Sequence, residues 1–376
     1  MKLRVCIFFI VGFFSHCFAQ SEIKELLKKG NQTLYENPDK AIAIGEKVLS
    51  ISNVSLENKI DALLLITTSY SSKRNYVKSL KYAVQASQLL PKIENDKFKI
   101  IIYSRLGVQY QQLKIYDKAH SYLDQAIQIA NNSKQKINRD KLLGFNYVIR
   151  GLVYKEQMSC ELAQNYFNKS LFHFKKALGE SIMNANISVA IYNKGNCFIA
   201  LNQIDSAKIC FENSYRYADK IKGNSLKAFA NKGLAEVNSL EGNYEKAVEL
   251  LLDAQAISKN VGDLILNQSI YKGLADNYFV LNNVERNNFY LNKLEDITST
   301  IKSNESKTIN QFVLQIEDDT IKEVKQIKLA ALYFKIPLLI TVILMILILI
   351  FQYSAYRNKY KNLKIQRENL EKTAIK

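Results

Sequence analysis

The chain has 376 residues, room for two or three ordinary domains, and a net charge of +17 that on its own invites a nucleic-acid partner. The charge does not carry that reading. Setting aside two positive charges at the N-terminus and five at the C-terminus leaves +10, on lysines dispersed among acids as on a solvated helical surface, so no nucleic acid is expected as a partner. Only three prolines (Pro38, Pro91, Pro337) and 13 glycines punctuate the sequence, which suits long uninterrupted helices.

Residues 1–19 read as a secretory signal peptide. Lys2 and Arg4 supply a basic start, Val5 to Phe14 an apolar run too short to span a bilayer, and Cys17 and Ala19 the small residues before a cut ahead of Gln20. Two other outcomes stay open: lipidation at Cys17, although His16 stands where a small residue is expected, and an uncleaved anchor.

Residues 20–298 carry a repeat. The clearest copy is Tyr103, Leu106, Gly107, Tyr110, Tyr116, Ala119, Leu123 and Ala126. The next has Gly151, Tyr154, Ala163, Phe167 and Ser170, followed by Gly195, Phe198, Ala207, Phe211 and Ser214. Then come Leu234, Ala235, Tyr244, Ala247, Leu251 and Ala254. Upstream, Tyr70, Tyr76, Ser79, Ala83, Ala86 and Pro91 fit the same frame. Lys29, Ala41 and Val48, and Ala275, Tyr278, Leu291 and Leu294, form weaker terminal copies, as expected of caps with one face in water. The corresponding small-residue positions are 29, 67, 107, 151, 195, 235 and 275, in steps of 38, 40, 44, 44, 40 and 40. A period in this range means stacked helical hairpins. The extra length over a 34-residue repeat is assigned to longer helices or to the connections Asn131–Asp140 and Gly179–Asn186.

This pattern resembles the tetratricopeptide (TPR) repeat. Small residues let the two helices of a hairpin approach, and large ones fill the gap beside them. The resemblance covers about three quarters of the chain and implies an all-α, right-handed solenoid of about seven hairpins. It also implies an inner groove lined by the first helix of each hairpin. On this sequence the groove candidates are Gln111, Gln112, Lys155, Tyr192, Asn196, Phe229, Lys232, Lys272 and Asp276, a mixture that suits a protein or peptide ligand. A Lys/Asn carboxylate clamp is not reproduced, because Glu236 follows Lys232 where Asn is needed.

Beyond the array, residues 299–328 read as a helical stalk. Ile309, Val313, Ile316, Thr320, Val324, Ile327 and Ala331 recur at three- and four-residue steps and give one apolar face, which admits a homodimer. Leu329 to Phe351 is 23 residues with one charge, Lys335. At ~1.5 Å per residue it reaches across a ~30 Å hydrocarbon core, so residues 329–353 are expected to contact membrane lipid as one transmembrane helix. Tyr333, Phe334 and Tyr353 sit where an aromatic belt would lie. Residues 354–376 form a basic tail. There Tyr356, Leu363 and Leu370 recur every seven residues, either as a short coiled-coil seam contacting a cytoplasmic protein or as a helix on the membrane surface. The basic tail favours a cytoplasmic side, with the array periplasmic and the span in the inner membrane of a bacterium.

Chemistry is sparse. His120 and His173 each stand alone, and no phosphate-binding loop, dinucleotide fingerprint or nucleophile elbow is present, so no enzyme, cofactor or metal is expected. Cys160, Cys197 and Cys210 fall in helical patterns; Cys197 and Cys210, in one hairpin, either stay as buried thiols or pair. Leader, array, stalk, span and tail together resemble the membrane-anchored TPR regulators of Bacteroidetes without their cytoplasmic output domain. That implies a sensor or adaptor passing a signal to a separate cytoplasmic protein. The alternative is a periplasmic scaffold for an envelope complex, with the span only as anchor.

Overall fold

The computed structural model describes residues 21–34, 37–135, 138–177, 183–259 and 263–374; the expected leader lies outside them. The described residues form fourteen α-helices and one short 3₁₀ turn (Leu90–Lys92). They are α1 (21–33), α2 (Pro38–Ser50), α3 (Leu56–Ser72), α4 (Tyr76–Ser87), α5 (Asp96–Gln112), α6 (Tyr116–Asn132) and α7 (Arg139–Glu156). Then follow α8 (Cys160–Lys176), α9 (Met183–Ala200), α10 (Ile204–Asp219), α11 (Asn224–Leu240), α12 (Tyr244–Ile257), α13 (Leu264–Val280) and α14 (Val284–Ala374). Each odd helix from α3 to α11 pairs with the even helix after it. Ile23 and Leu27 of α1 share a core with Ala41 and Val48 of α2, and Tyr278 of α13 stacks on Tyr290 of α14, so seven hairpins follow in chain order as a helical solenoid. Helices α5 to α9 are 17 or 18 residues long, which absorbs much of the excess over a 34-residue repeat.

Local chemistry sets the helix ends. Asn is the recurrent N-cap. The side chains of Asn37, Asn75, Asn95, Asn138 and Asn283 each accept from a backbone N–H two or three residues on, and Ser55 and Asp263 do the same. At the other end, six odd helices finish identically. Arg74, Lys114, Met158, Asn202, Gly242 and Asn282 all take left-handed φ values between +55° and +82°. The next N–H reaches back five residues, as from Asn75 to the Tyr70 carbonyl and from Ile115 to that of Tyr110. After this sharp reversal each of the even helices α4 to α14 begins two residues beyond the left-handed residue.

Packing follows the small-to-large rule. A side chain on Gly107 would strike Leu123, and one on Gly151 would strike Phe167. Phe211 is held from both sides: the Cβ positions of Gly195 in its own hairpin and of Gly233 in the next lie 2.7 and 2.5 Å from its ring. Ala119, Ala126, Ala163, Ala207, Ala247 and Ala254 are fully buried between helices. In the third, fourth and seventh hairpins tyrosine rings gather in sets: Tyr103–Tyr122–Tyr110, Tyr147–Tyr166–Tyr154 and Tyr271–Tyr290–Tyr278.

Two local expectations change, and one open alternative is decided. Lys29 is exposed, and the small residue inside the first hairpin is Gly30, packed on Leu65 and Ile44. In the seventh hairpin Leu291 is exposed and Tyr290, its neighbour, is buried. Cys197 does not face Cys210. It shares a buried cluster with Cys160, Ala163 and Phe167, where burial and the hydrogen bond its thiol makes to Cys160 push it up to about 12. Among the described residues, Cys160, Cys197 and Cys210 are all free.

The chain divides into two units, one up to Ile309 and one over Asn310–Lys376. In the first, the start of α14 serves as the second helix of the seventh hairpin: Tyr290 and Ile301 are buried, and Gln268 donates to the Thr298 hydroxyl. In the second, Leu329–Arg367 has a mean hydropathy of 2.9 over its most apolar window and is long and apolar enough to cross a membrane; its described side chains stand exposed.

Candidate functional site: the face of the odd-numbered helices

Successive odd helices lie side by side and are tied by a row of polar links. The Ser71 hydroxyl and the Gln112 amide bond between α3 and α5. Ser104 donates to Asn146, and Gln111 donates to Glu156 at 2.7 Å, between α5 and α7. Lys155 donates to Asn193 at 2.6 Å between α7 and α9. Tyr192 on α9 meets the ring of Phe229 on α11 at 5.4 Å, and Ser239 donates to Asn277 between α11 and α13. Gln111, Gln112, Lys155 and Tyr192 thus share one face, but each is engaged in joining neighbouring hairpins. Phe229 is half-buried against the α11–α13 core, and Asn196 is half-buried on α9.

Electrostatics along this face follow from burial. Burial pushes the Glu156 carboxyl above its ordinary range against the pull of Lys155, Gln111 and Tyr116. Burial likewise lowers the Lys155 ammonium. Lys232 goes the other way: burial works against its charge, but Tyr192 and Glu236 outweigh it and hold the ammonium above the ordinary lysine value.

The row opens at its C-terminal end. Between α11 and α13 lies a cleft of about 420 Å³ lined by Lys232, Glu236, Lys272 and Asp276 with Leu240, Tyr244, Leu251 and Val280. Lys232 donates to Glu236 at 2.7 Å, and Lys272 lies 3.9 Å from Asp276. Leu240 and Val280 stay 58% and 47% exposed, and Phe279 beside them 71% exposed. The structure therefore brings Lys232, Lys272 and Asp276 into one cleft. The apolar lining of Leu240 and Val280 was not among the sequence candidates. Its signal is nevertheless present: these two occupy one repeat position, 40 residues apart, where Gln112 and Glu156 stand in earlier hairpins.

At the other end of the chain, Tyr356 and Leu363 are exposed on α14; the side chain of Leu370 lies outside the described residues. Among the described residues no group of His, Cys, Asp and Glu could hold a metal ion.

Residues 189–220, the α9–α10 hairpin, match the Tetratricopeptide repeat family. No curated protein matches the sequence. Solved structures of similar architecture include NprR in complex with its cognate peptide NprX, at 17% identity over 78% of this chain and 84% of that one (TM-score 0.52). A Rap protein complexed with Competence and Sporulation Factor aligns at 15% identity over 76% and 99% (TM-score 0.51). A STAND protein with a tetratricopeptide-repeat sensor from Pyrococcus horikoshii aligns at 16% over 76% and 43% (TM-score 0.50). At these identities the likeness is one of fold.

Proposed function

We propose that this tetratricopeptide-repeat protein binds an extended segment of a partner protein or peptide on the face of its odd-numbered helices, with the α11–α13 cleft as the principal contact. The observation that carries the reading is the cleft itself. Its charges are already paired, Lys232 with Glu236 and Lys272 with Asp276, while Leu240, Val280 and Phe279 stand exposed at its edge. Such a site rewards burial of apolar side chains from a strand-like segment and leaves polar groups to meet its backbone. That NprR was solved with a cognate peptide supports the same use of the fold.

The apolar helix then anchors the array in the inner membrane with the array periplasmic, and the tail with Tyr356, Leu363 and Leu370 contacts a separate cytoplasmic protein, the sensor or adaptor role. The stalk face also admits a homodimer. The test is co-purification from native membranes of three chains: the full chain, one ending at Tyr353, and the double variant Leu240→Asp, Val280→Asp. A partner lost only with the double variant supports the cleft; a second partner lost only with the tail supports the adaptor role. If exported partners are unchanged by tail removal, the chain is an anchored scaffold. If the double variant loses nothing, the cleft reading fails.

A further inference from the structure

The array curls far enough for its second hairpin to meet its seventh. Arg74, in the α3–α4 turn, reaches Asp263, the N-cap of α13, with its guanidinium 3.5 Å from the carboxylate, although 189 residues separate them. Its other guanidinium nitrogen donates to the Tyr76 hydroxyl at 3.0 Å. Tyr76 is half-buried there, and burial, with Glu305 and Asp263 nearby, raises its phenol above the ordinary value although Arg74 acts in the opposite sense. Three segments far apart in sequence, 74–76, Asp263 and Glu305 in α14, thus converge at one place. The left-handed backbone of Arg74 (φ +58°) sends the chain sharply from α3 into α4 at this point.

This contact differs in kind from the rest of the array. Between neighbouring hairpins the polar links are backed by buried apolar surface, as where Phe211 packs on Gly233. The closure from hairpin two to hairpin seven rests on a half-exposed ion pair, each side chain 29% exposed. An exposed pair of this kind is weak and is screened by salt. Asp263 is also fixed independently, because its Oδ1 accepts from the N–H groups of Ile265 and Leu266 at 3.0 Å. The carboxylate is held in place whether or not Arg74 arrives, as a latch plate would be.

We propose that Arg74 and Asp263 form a latch that holds the array curled upon itself and that opens without unfolding any hairpin. The latch is independent of what the α11–α13 cleft binds. It is tested on the full chain in lipid nanodiscs by electron–electron distance measurement between nitroxides at Lys81→Cys and Lys259→Cys, both exposed in the native chain, in a Cys210→Ser background. The native charges should give one short distance at low salt. Arg74→Glu should give a longer, broader distribution, and so should Asp263→Asn, which keeps the helix cap because Asn caps as well as Asp. Raising salt in the native chain should move it the same way. Unchanged far-ultraviolet circular dichroism would show that the hairpins persist. A short distance retained in both variants and in high salt overturns the latch: the curl would then be set by hairpin stacking alone, with Arg74 and Asp263 merely adjacent.

Discussion

Phe211 shows how single residues set the spacing of the array. Its ring lies between Gly195 and Gly233, so it cannot move away from a side chain on one without striking the other. Gly233→Ala should gain about 1 kcal/mol of helix propensity and lose about 1–3 kcal/mol to overpacking, a net loss in denaturant midpoint. Trimming the ring with Phe211→Leu in the same chain should recover part of it; Gly233→Ala alone leaving the midpoint higher would show that the ring yields. His120 gives a pH handle. Its ring lies tilted against that of Tyr154 at 5.0 Å, and burial, with Arg150 beside it, lowers its pKa from the ordinary 6.5. Its contribution is therefore present above pH 6.5 and lost as pH falls through the lower folded value, because the unfolded chain takes up the proton first. Glu156 acts in the opposite sense in a lower window, its raised carboxyl favouring the fold below about 4.5 and losing that as pH rises. Urea midpoints at pH 7.5 and 5.5 should differ less in His120→Gln than in the native chain; an equal difference would place the acid sensitivity elsewhere.

At the level of elements, what was readable in the sequence and what was not have a common cause. The small residues at 107, 151, 195, 235 and 275 reveal the hairpins because steric approach tolerates few side chains there. The first and last hairpins lack a neighbour on one side, so weaker constraint let the frame slip from Gly30 to Lys29 and from Tyr290 to Leu291. The abundant asparagines, which composition alone leaves unexplained, turn out to cap helices at Asn37, Asn75, Asn95, Asn138 and Asn283. The left-handed turn was not legible, because Arg74, Lys114 and Met158 carry no glycine signature although they adopt glycine's conformation. It yields a prediction. Met158, at φ +60° and 88% exposed, touches little that a side chain would lose. Met158→Gly should stabilise by about 1 kcal/mol by removing left-handed strain. A melting temperature unchanged or lowered would mean that the turn is not strained.

Over the whole molecule, the odd-helix face reads as a row of side chains that changes character along the array. Near the start and middle its polar members bond to neighbouring hairpins: Gln111 to Glu156, Lys155 to Asn193 and Gln112 to Ser71. Near the end the same repeat position holds Leu240 and Val280, and the face opens into a cleft. Groove positions inherited from the repeat pattern fall on the odd-helix face but weight it evenly, whereas burial and pairing concentrate the unengaged apolar surface of that face in the last two hairpins. The resemblance could not supply that distinction, because pairing between hairpins depends on which residue faces which across 38 to 45 positions. The most direct test of the account is site-specific photo-crosslinking in native membranes. A benzophenone side chain replacing Val280 in the cleft should capture a partner protein, and one replacing Ile209, exposed on the even helix α10, should not. Equal capture from both positions, or capture from Ile209 alone, would contradict binding on the odd-helix face.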